Sequence, residues 1–417
     1  MTPTTEKPTY AYTLDNGLHV VVRQDHRTEA ICASLFHKVG TDHERPDQRG
    51  LAYLAGGATF KDKALEKTIG AVANGWLDYH LSTYSLEAPR TGLQTVLQLL
   101  AGRMATPVLT QERLNKGLLR TRELELSEPY FTSDHWISPE FEQLIFPAAG
   151  KVYKFANIDH LERMTVADVL RWHEEGYAPN NSILVVAGDT TLEEIQPLVQ
   201  RMFGGVPRFN GFTPIEQPAS QPLGDERRLT QYLDTPRPRL QLAFNTPGLA
   251  TGEDTRDLRA LQVISALLTR GPQAWLPGKL SGGAQTLSSA ISRFPGYRLK
   301  DDLFLISATL GEHTSASIDH VELEIKQLLE TLKNHALDTD TLCYGRHQAL
   351  AYLNDLDTLE MQASVIGNLL AIGQPWTLID DEAQQIRSIT AEDILRVANT
   401  YFTPERLSVA HILPRTP

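Results

Sequence analysis

The sequence predicts an α+β chain made of two copies of one folding unit. Three observations carry that expectation. The chain opens as strand, tight turn, strand: residues 10–14, then Asp15-Asn16-Gly17, then residues 18–23. Asn-Gly between alternating apolar residues is the strongest short-range hairpin signal, because both turn positions need positive φ. Amphipathic helical stretches and short apolar strand candidates then alternate through both halves. Finally, Thr165-Val166-Ala167-Asp168-Val169-Leu170-Arg171 is answered by Thr390-Ala391-Glu392-Asp393-Ile394-Leu395-Arg396, and Tyr177-Ala178-Pro179 by Phe402-Thr403-Pro404. The threonine, aspartate, leucine, arginine and proline each recur 225 positions further on, which points to duplication of a unit.

Composition narrows the class. At 417 residues, 41% hydrophobic and 22% charged, the chain is ordinary globular material, too long for one compact core. Its formal charge of −12 argues against a nucleic acid or an anionic membrane as partner, since phosphates need a basic face. The two cysteines, Cys32 and Cys343, lie far apart in apolar contexts and read as buried free thiols. Residues 1–9 are polar, carry Pro3 and Pro8 and hold no apolar core of a signal peptide. A processed protein would read the same way. No apolar run reaches the length that spans a bilayer, so a cytoplasmic location is expected, with the periplasm left open.

The elements follow in order. A third strand is expected at 30–38, a polar loop at 39–48, and a helix opening near Gly50. A helix over about 64–73 should stop at Asn74-Gly75. Residues 76–80 and 83–88 are strand candidates. Helical periodicity returns from Leu93 to Met104 and over about 110–126, closed by Glu128-Pro129. Residues 130–155 read as loop, 165–175 as a helix capped by the Thr165/Asp168 box, 182–187 as a buried strand and 192–203 as a helix. Four prolines between Pro207 and Gly224, with no apolar period, mark a linker between domains 1–206 and 225–417. Beyond it come strands within 231–246, a helix at 258–268, a strand at 303–310 and helices at 321–332 and 342–356.

The functional argument rests on Gly50-Leu51-Ala52-Tyr53-Leu54-Ala55-Gly56-Gly57-Ala58-Thr59-Phe60-Lys61. This stretch resembles the first active-site helix of the M16 metallopeptidases, the pitrilysin/insulinase-like family, which reads roughly G-L-A-H-x-x-E-H-x-x-F-K. There two histidines at i and i+4 share one helix face and bind zinc, and the glutamate between them is the general base. Over that pattern Tyr53 and Gly57 stand at the histidines and Gly56 at the glutamate. Leu77-Asp78-Tyr79 resembles the family's L-N-A strand. Tyr177-Ala178-Pro179-Asn180-Asn181-Ser182-Ile183-Leu184-Val185-Val186-Ala187-Gly188-Asp189 is similar to its Y-x-P-N-N-x-x-L-V-V-x-G-D segment. The resemblance covers nearly the whole chain and is to the short bacterial (M16B) and mitochondrial-processing-peptidase type. It implies two α+β domains, each a mostly antiparallel sheet with helices packed on one face, and two protomers closing around a peptide chamber.

It also implies a third zinc ligand, a glutamate on a later helix. Thr121 stands there, and Glu123 and Glu125 rotate to other faces at about 100° per residue. Zinc sites want His, Cys or carboxylate ligands, which tyrosine, glycine and threonine do not supply. No HxxEH or HxxxH occurs elsewhere. The family's substrate-holding arginine and tyrosine fall at Ser281 and Ser288, with Arg293, Tyr297 and Arg298 as alternative donors or plain exposed loop residues. His173-Glu174-Glu175 reads as a solvated helix face. Gly278-Lys279 has neither the glycine spacing nor the Ser/Thr of a phosphate loop. Its stretch is similar in place to the glycine-rich substrate-handling loop of the non-catalytic mitochondrial subunit, but is shorter. Gly56-Gly57 inside a helix costs roughly 1 kcal/mol per glycine relative to alanine, so the helix is expected to end early or to meet another backbone there.

The resemblance therefore implies a catalytically inert subunit that binds no zinc itself. It would pair with a zinc-containing M16B homologue and help hold a peptide or small-protein substrate, for instance in peptide-precursor maturation. Trp76, Leu77, Asp78 and Tyr79 are the candidate substrate contacts. Two alternatives stay open: a stand-alone homodimeric peptide-binding or structural protein, and an independent hydrolase with a relocated site.

Overall fold

The structure is a computed structural model, and it describes residues 7–58, 67–105, 107–126, 137–147, 156–213, 224–252, 254–280, 285–294, 296–355 and 357–415. In chain order the first half gives β1 (Thr9–Thr13), β2 (His19–Gln24), β3 (Ala30–His37), α1 (Leu51–Ala58), β4 (Val72–Leu77) and β5 (Ser82–Pro89). Next come α2 (Leu93–Met104), α3 (Gln111–Leu126), α4 (Pro139–Ile145), α5 (Ile158–Leu161), α6 (Val166–Gly176), β6 (Ser182–Gly188) and α7 (Leu192–Phe203). The second half gives β7 (Arg227–Leu233), β8 (Arg239–Thr246), α8 (Thr255–Thr269), α9 (Trp275–Lys279), β9 (Leu287–Arg293) and β10 (Asp302–Leu310). It ends with α10 (Ile318–Asn334), α11 (Thr339–Asp355), α12 (Leu359–Ala371), α13 (Leu378–Ser388), α14 (Ala391–Tyr401) and β11 (Leu407–Pro414).

The α+β class and the mostly antiparallel sheets are as the sequence leads one to expect. The first sheet has the order β1-β2-β6-β3-β5-β4 and the second β7-β11-β8-β10-β9. Among the described strands only β2 with β6, and β7 with β11, pair in parallel. The order β2-β6-β3-β5-β4 maps strand for strand onto β7-β11-β8-β10-β9, so the duplication is visible in the topology. The β1–β2 hairpin is the addition: Gly17 turns it at φ +90°, and Leu14 and Leu18 close it. The repeated caps are equally alike, since Thr165 and Thr390 each accept from the backbone N–H three residues on and receive the matching aspartate in return.

The contiguous domains 1–206 and 225–417 are redrawn by packing. The first compact unit comprises Met1–Leu126, Phe155–Glu216 and Leu356–Ile379; the second comprises Ser127–Lys154, Gln217–Asp355 and Asp380–Pro417. In the first unit α1, α2, α6 and α7 cover one face of the sheet, where Val20, Ala33, Leu35, Leu97 and Val199 meet. The opposite face, with Val21, Cys32, Phe36 and Val185, is covered by α12 through Ala363 and Ile366. A sheet apolar on both faces exposes one of them until a helix from far along the chain closes it. In the second unit α4 plays that part, setting Phe141 and Ile145 on Ala243, Leu305 and Ala410.

Several local expectations are corrected. Asn74-Gly75 lies inside β4, paired with Ser85 and Tyr84, and the turn falls at Gly70 with φ +67°. The stretch 130–155, read as loop, contains α4, which Ser138 caps and Pro139 opens. Cys343 is exposed, while Cys32 is buried. The Pro-rich linker falls mostly on 214–223, outside the described residues. No described helix is long and apolar enough to cross a membrane.

Candidate functional site

The described residues enclose a pocket of about 210 Å³ at the β4 edge of the first sheet. One wall is α1, through Ala52, Tyr53, Gly56 and Gly57; β4 and β5 supply a second, through Gly75, Trp76, Leu77 and Tyr84. Helix α3 closes it with Gly117, Arg120 and Thr121, spaced i, i+3 and i+4 on one helix face. Four positions separated by 68 residues of sequence therefore meet: Tyr53, Gly56, Gly57 and Thr121 all line this one pocket.

Helix α1 begins where the sequence places it because Glu44 caps it. The Glu44 Oε1 accepts from the backbone N–H groups of Gly50 (3.0 Å) and Ala52 (2.8 Å). Gly50, at φ +109°, lets the chain turn into the helix against Ala156, whose Cβ would sit 2.4 Å from any Cβ at position 50. Burial pushes the Glu44 carboxyl up to about 7, against the opposing pull of the Ala52 and Gly50 N–H groups and of Arg49.

The two glycines of α1 lie in its last described turn. The helix runs through both to Ala58, and among the described residues a Cβ at Gly57 would meet nothing within 4 Å, and one at Gly56 only the Tyr84 hydroxyl at 3.3 Å. The side chains that glycine lacks leave the space that forms the pocket. Thr121 is buried and turned onto its own helix, its hydroxyl donating to the Gly117 carbonyl at 2.9 Å. Glu125, expected on another face, is four residues on from Thr121 and so near the same one, but its carboxylate is engaged, accepting from the Ala156 N–H at 3.0 Å.

Beneath the pocket lies a neutral aromatic floor. The Tyr84 and Tyr177 hydroxyls are 3.4 Å apart, and His37 stacks flat on Tyr177 with centroids at 4.2 Å. Burial holds Tyr177 well above the phenol range and His37 well below the imidazole range, so both stay uncharged. His173, read as part of a solvated face, is instead 2% exposed and joins this floor, bonded to the Arg103 carbonyl at 2.8 Å. The i, i+4 spacing of Val169 and His173 sets it on the core side of α6.

Of the substrate candidates, Trp76 and Leu77 line the pocket, with Trp76 60% exposed. Asp78 and Tyr79 do not line it; they form the turn to β5, where the Asp78 carbonyl receives the Thr41 N–H. Ser281 lies outside the described residues. Ser288 is on β9 in the second unit, bonded to the Leu310 carbonyl at 3.1 Å. Arg298 is no plain loop residue there, since it pairs with Glu142 at 3.1 Å and stacks over Phe146. The Lys279 ammonium lies 3.6 Å from the Trp275 ring centroid. Residues that sequence reasoning passed over are Arg120, Tyr84 and Gly117; the i, i+4 spacing back from Thr121 would have found Gly117, and i, i+3 from Gly117 then reaches Arg120.

The residues at the family's metal position do not fit zinc. Among the described residues the pocket lining contains no histidine, cysteine or carboxylate. A separate trio, Asp319, Glu322 and His411, is close enough to ligate in the second unit. There Glu322 is already held by Arg228 at 2.7 Å and Lys326 at 2.7 Å, which makes an ion-pair network of it.

Two repeated, mostly antiparallel α+β units, the first with a helix-walled pocket at its sheet edge, give a fold that matches solved M16-like structures. Residues 163–347 of the chain match the family described as "Peptidase M16 inactive domain". It is 24% identical to the protein named zinc protease PqqE of Helicobacter pylori, over 96% of this chain and 92% of that one. It is 28% identical to mitochondrial-processing peptidase subunit alpha-1 of Dictyostelium discoideum, over 49% of this chain and 32% of that one. Among solved structures, a protease from Helicobacter pylori superposes with a TM-score of 0.84 at 22% identity, covering 98% of this chain and all of the other.

Proposed function

We propose that this chain is a non-catalytic M16 subunit that binds an extended peptide and works with a zinc-bearing subunit of the same fold. The observation that carries the reading is chemical. The pocket gathers every position of the family's metal site that the resemblance assigns, Tyr53, Gly56, Gly57 and Thr121, and none is a metal ligand or a general base. The peptide-binding half rests on β4. It ends the sheet, so its outer row of N–H and C=O groups is available to an added strand, and Val72 and Trp76 are exposed along it at 63% and 60%. A relative named as a subunit supports the paired arrangement. Maturation of a peptide precursor and a cytoplasmic location belong to the same proposal, the latter checked by cell fractionation.

The reading predicts that the isolated full-length chain carries less than a tenth of an equivalent of zinc after dialysis against micromolar zinc. It also predicts no cleavage of a quenched fluorescent peptide library above the buffer rate. Stoichiometric zinc together with cleavage that a chelator abolishes would overturn it.

A further inference from the structure

The pocket has a charge that its neutral lining makes conspicuous. Arg120 is the one charged residue among its described lining residues. No described carboxylate pairs with it, although most arginines of the chain with resolved partners sit on one, as Arg122 does on Glu162 at 3.4 Å. Behind the Tyr84 wall the Arg103 guanidinium lies 4.3 Å from the ring centroid and adds to the positive potential. The rest of the wall is apolar or small: Ala52, Gly56, Gly57, Gly75, Trp76 and Leu77. A site of about 210 Å³ lies below the usual range of drug-sized pockets, roughly 300–1,000 Å³, and matches the scale of a single residue.

We propose that this pocket receives the C-terminal residue of a peptide, Arg120 pairing with the α-carboxylate while Trp76 and Leu77 pack on an apolar or aromatic side chain. The inference rests on the peptide-binding reading above and names the end of the peptide that this site selects. Two features favour a chain terminus over an internal acidic residue, and a third favours a carboxylate over an amide. A C-terminal residue carries an apolar group and a carboxylate on one Cα, whereas an aspartate or glutamate brings the charge without the apolar group. A terminus needs room for one residue only, and an internal residue needs an exit for the following chain. Guanidinium also matches a carboxylate in two parallel hydrogen bonds, which a neutral amide cannot reproduce. A peptide added along β4 would then be fixed in register by its last residue, at the place where catalytic relatives by resemblance carry their metal.

The test uses the full-length chain, immobilised, with a random hexapeptide pool supplied once as free acids and once as C-terminal amides. Retained peptides are identified by mass spectrometry. The expected result is about tenfold stronger retention of the free-acid pool, with aromatic and aliphatic residues enriched at the last position. In Arg120→Gln the preference for the free acid disappears while retention of the amide pool stays as in the wild type. In Trp76→Ala the enrichment at the last position is lost. Equal retention of both pools by the wild type overturns the carboxylate inference and leaves the peptide-binding reading standing. Enrichment of internal acidic residues, or a free-acid preference that survives Arg120→Gln, overturns it as well. Retention of neither pool overturns both.

Discussion

At the scale of single residues, Glu44 carries a pH signature. Its carboxyl is buried under the start of α1 and titrates at about 7 in the fold, against an ordinary value of about 4.5. The native state therefore holds this proton more tightly than the unfolded chain does. Stability from this group is complete below about pH 4.5, declines as the pH rises through 7, and is constant above that. A shift of this size corresponds to about 3 kcal/mol. Glu44→Gln keeps an oxygen that can accept from Gly50 and Ala52 but cannot ionise. Denaturant unfolding between pH 5 and 8 should show a falling stability for the wild type and a flatter profile for the variant. Parallel profiles would mean that Glu44 does not titrate in this range.

The same scale explains what the sequence showed of the site and what it did not. Tyr53, Gly56, Gly57 and Thr121 were assigned by resemblance to the family's helix motifs, and the structure places all four on one pocket. His173 was misplaced because a His-Glu-Glu run suggests solvent, while the helical phase set by Val169 turns the histidine inward. Tyr84 and Tyr177 come from a strand and a turn 93 residues apart, and no local pattern announces that they meet.

At the scale of elements, the helix least visible in the sequence holds down a whole face of the first sheet. Helix α12 follows the expected helix at 342–356 closely in sequence, yet packs on strands more than 300 residues earlier. Its fit depends on Gly367, where a Cβ would lie 2.2 Å from the Phe36 ring. A buried polar knot secures the same helix: Gln362 accepts from Arg23 at 3.1 Å and donates to Asp25 at 2.9 Å. Gly367→Ala should therefore destabilise the chain by about 1–3 kcal/mol through overpacking, although alanine is the better helix former. Thermal melting would register the loss, and an unchanged or raised midpoint would show that Phe36 yields freely. Helix α4 was missed for the opposite reason. It is short, and its signature of Ser138, Pro139 and Glu140 went unused although it is a regular helix start. Asn74-Gly75 shows tertiary pairing overriding a local signal, since β5 recruits both residues into the sheet.

At the scale of the whole molecule, duplication was the most legible property. The Thr-Asp caps and prolines recur because each copy must start the same helix and turn into the same strand, β6 or β11. Unit boundaries were not legible, because contiguity in sequence says nothing of which sheet a late helix covers. The remaining question is what the fold contributes through a pocket whose described lining offers no histidine, cysteine or carboxylate. Two sheets, an edge at β4 and a pocket lined by Arg120 but by no described metal ligand suit the proposed role of a chain that holds a peptide for another to cut.

That claim is tested most directly by adding the purified chain to its zinc-motif homologue from the same cell and following cleavage of a peptide library. The account predicts that the two form a complex and that the mixture cleaves at least tenfold faster than the homologue alone, with zinc only in the homologue. No complex and no gain in rate would contradict it and leave a stand-alone binding protein as the better description.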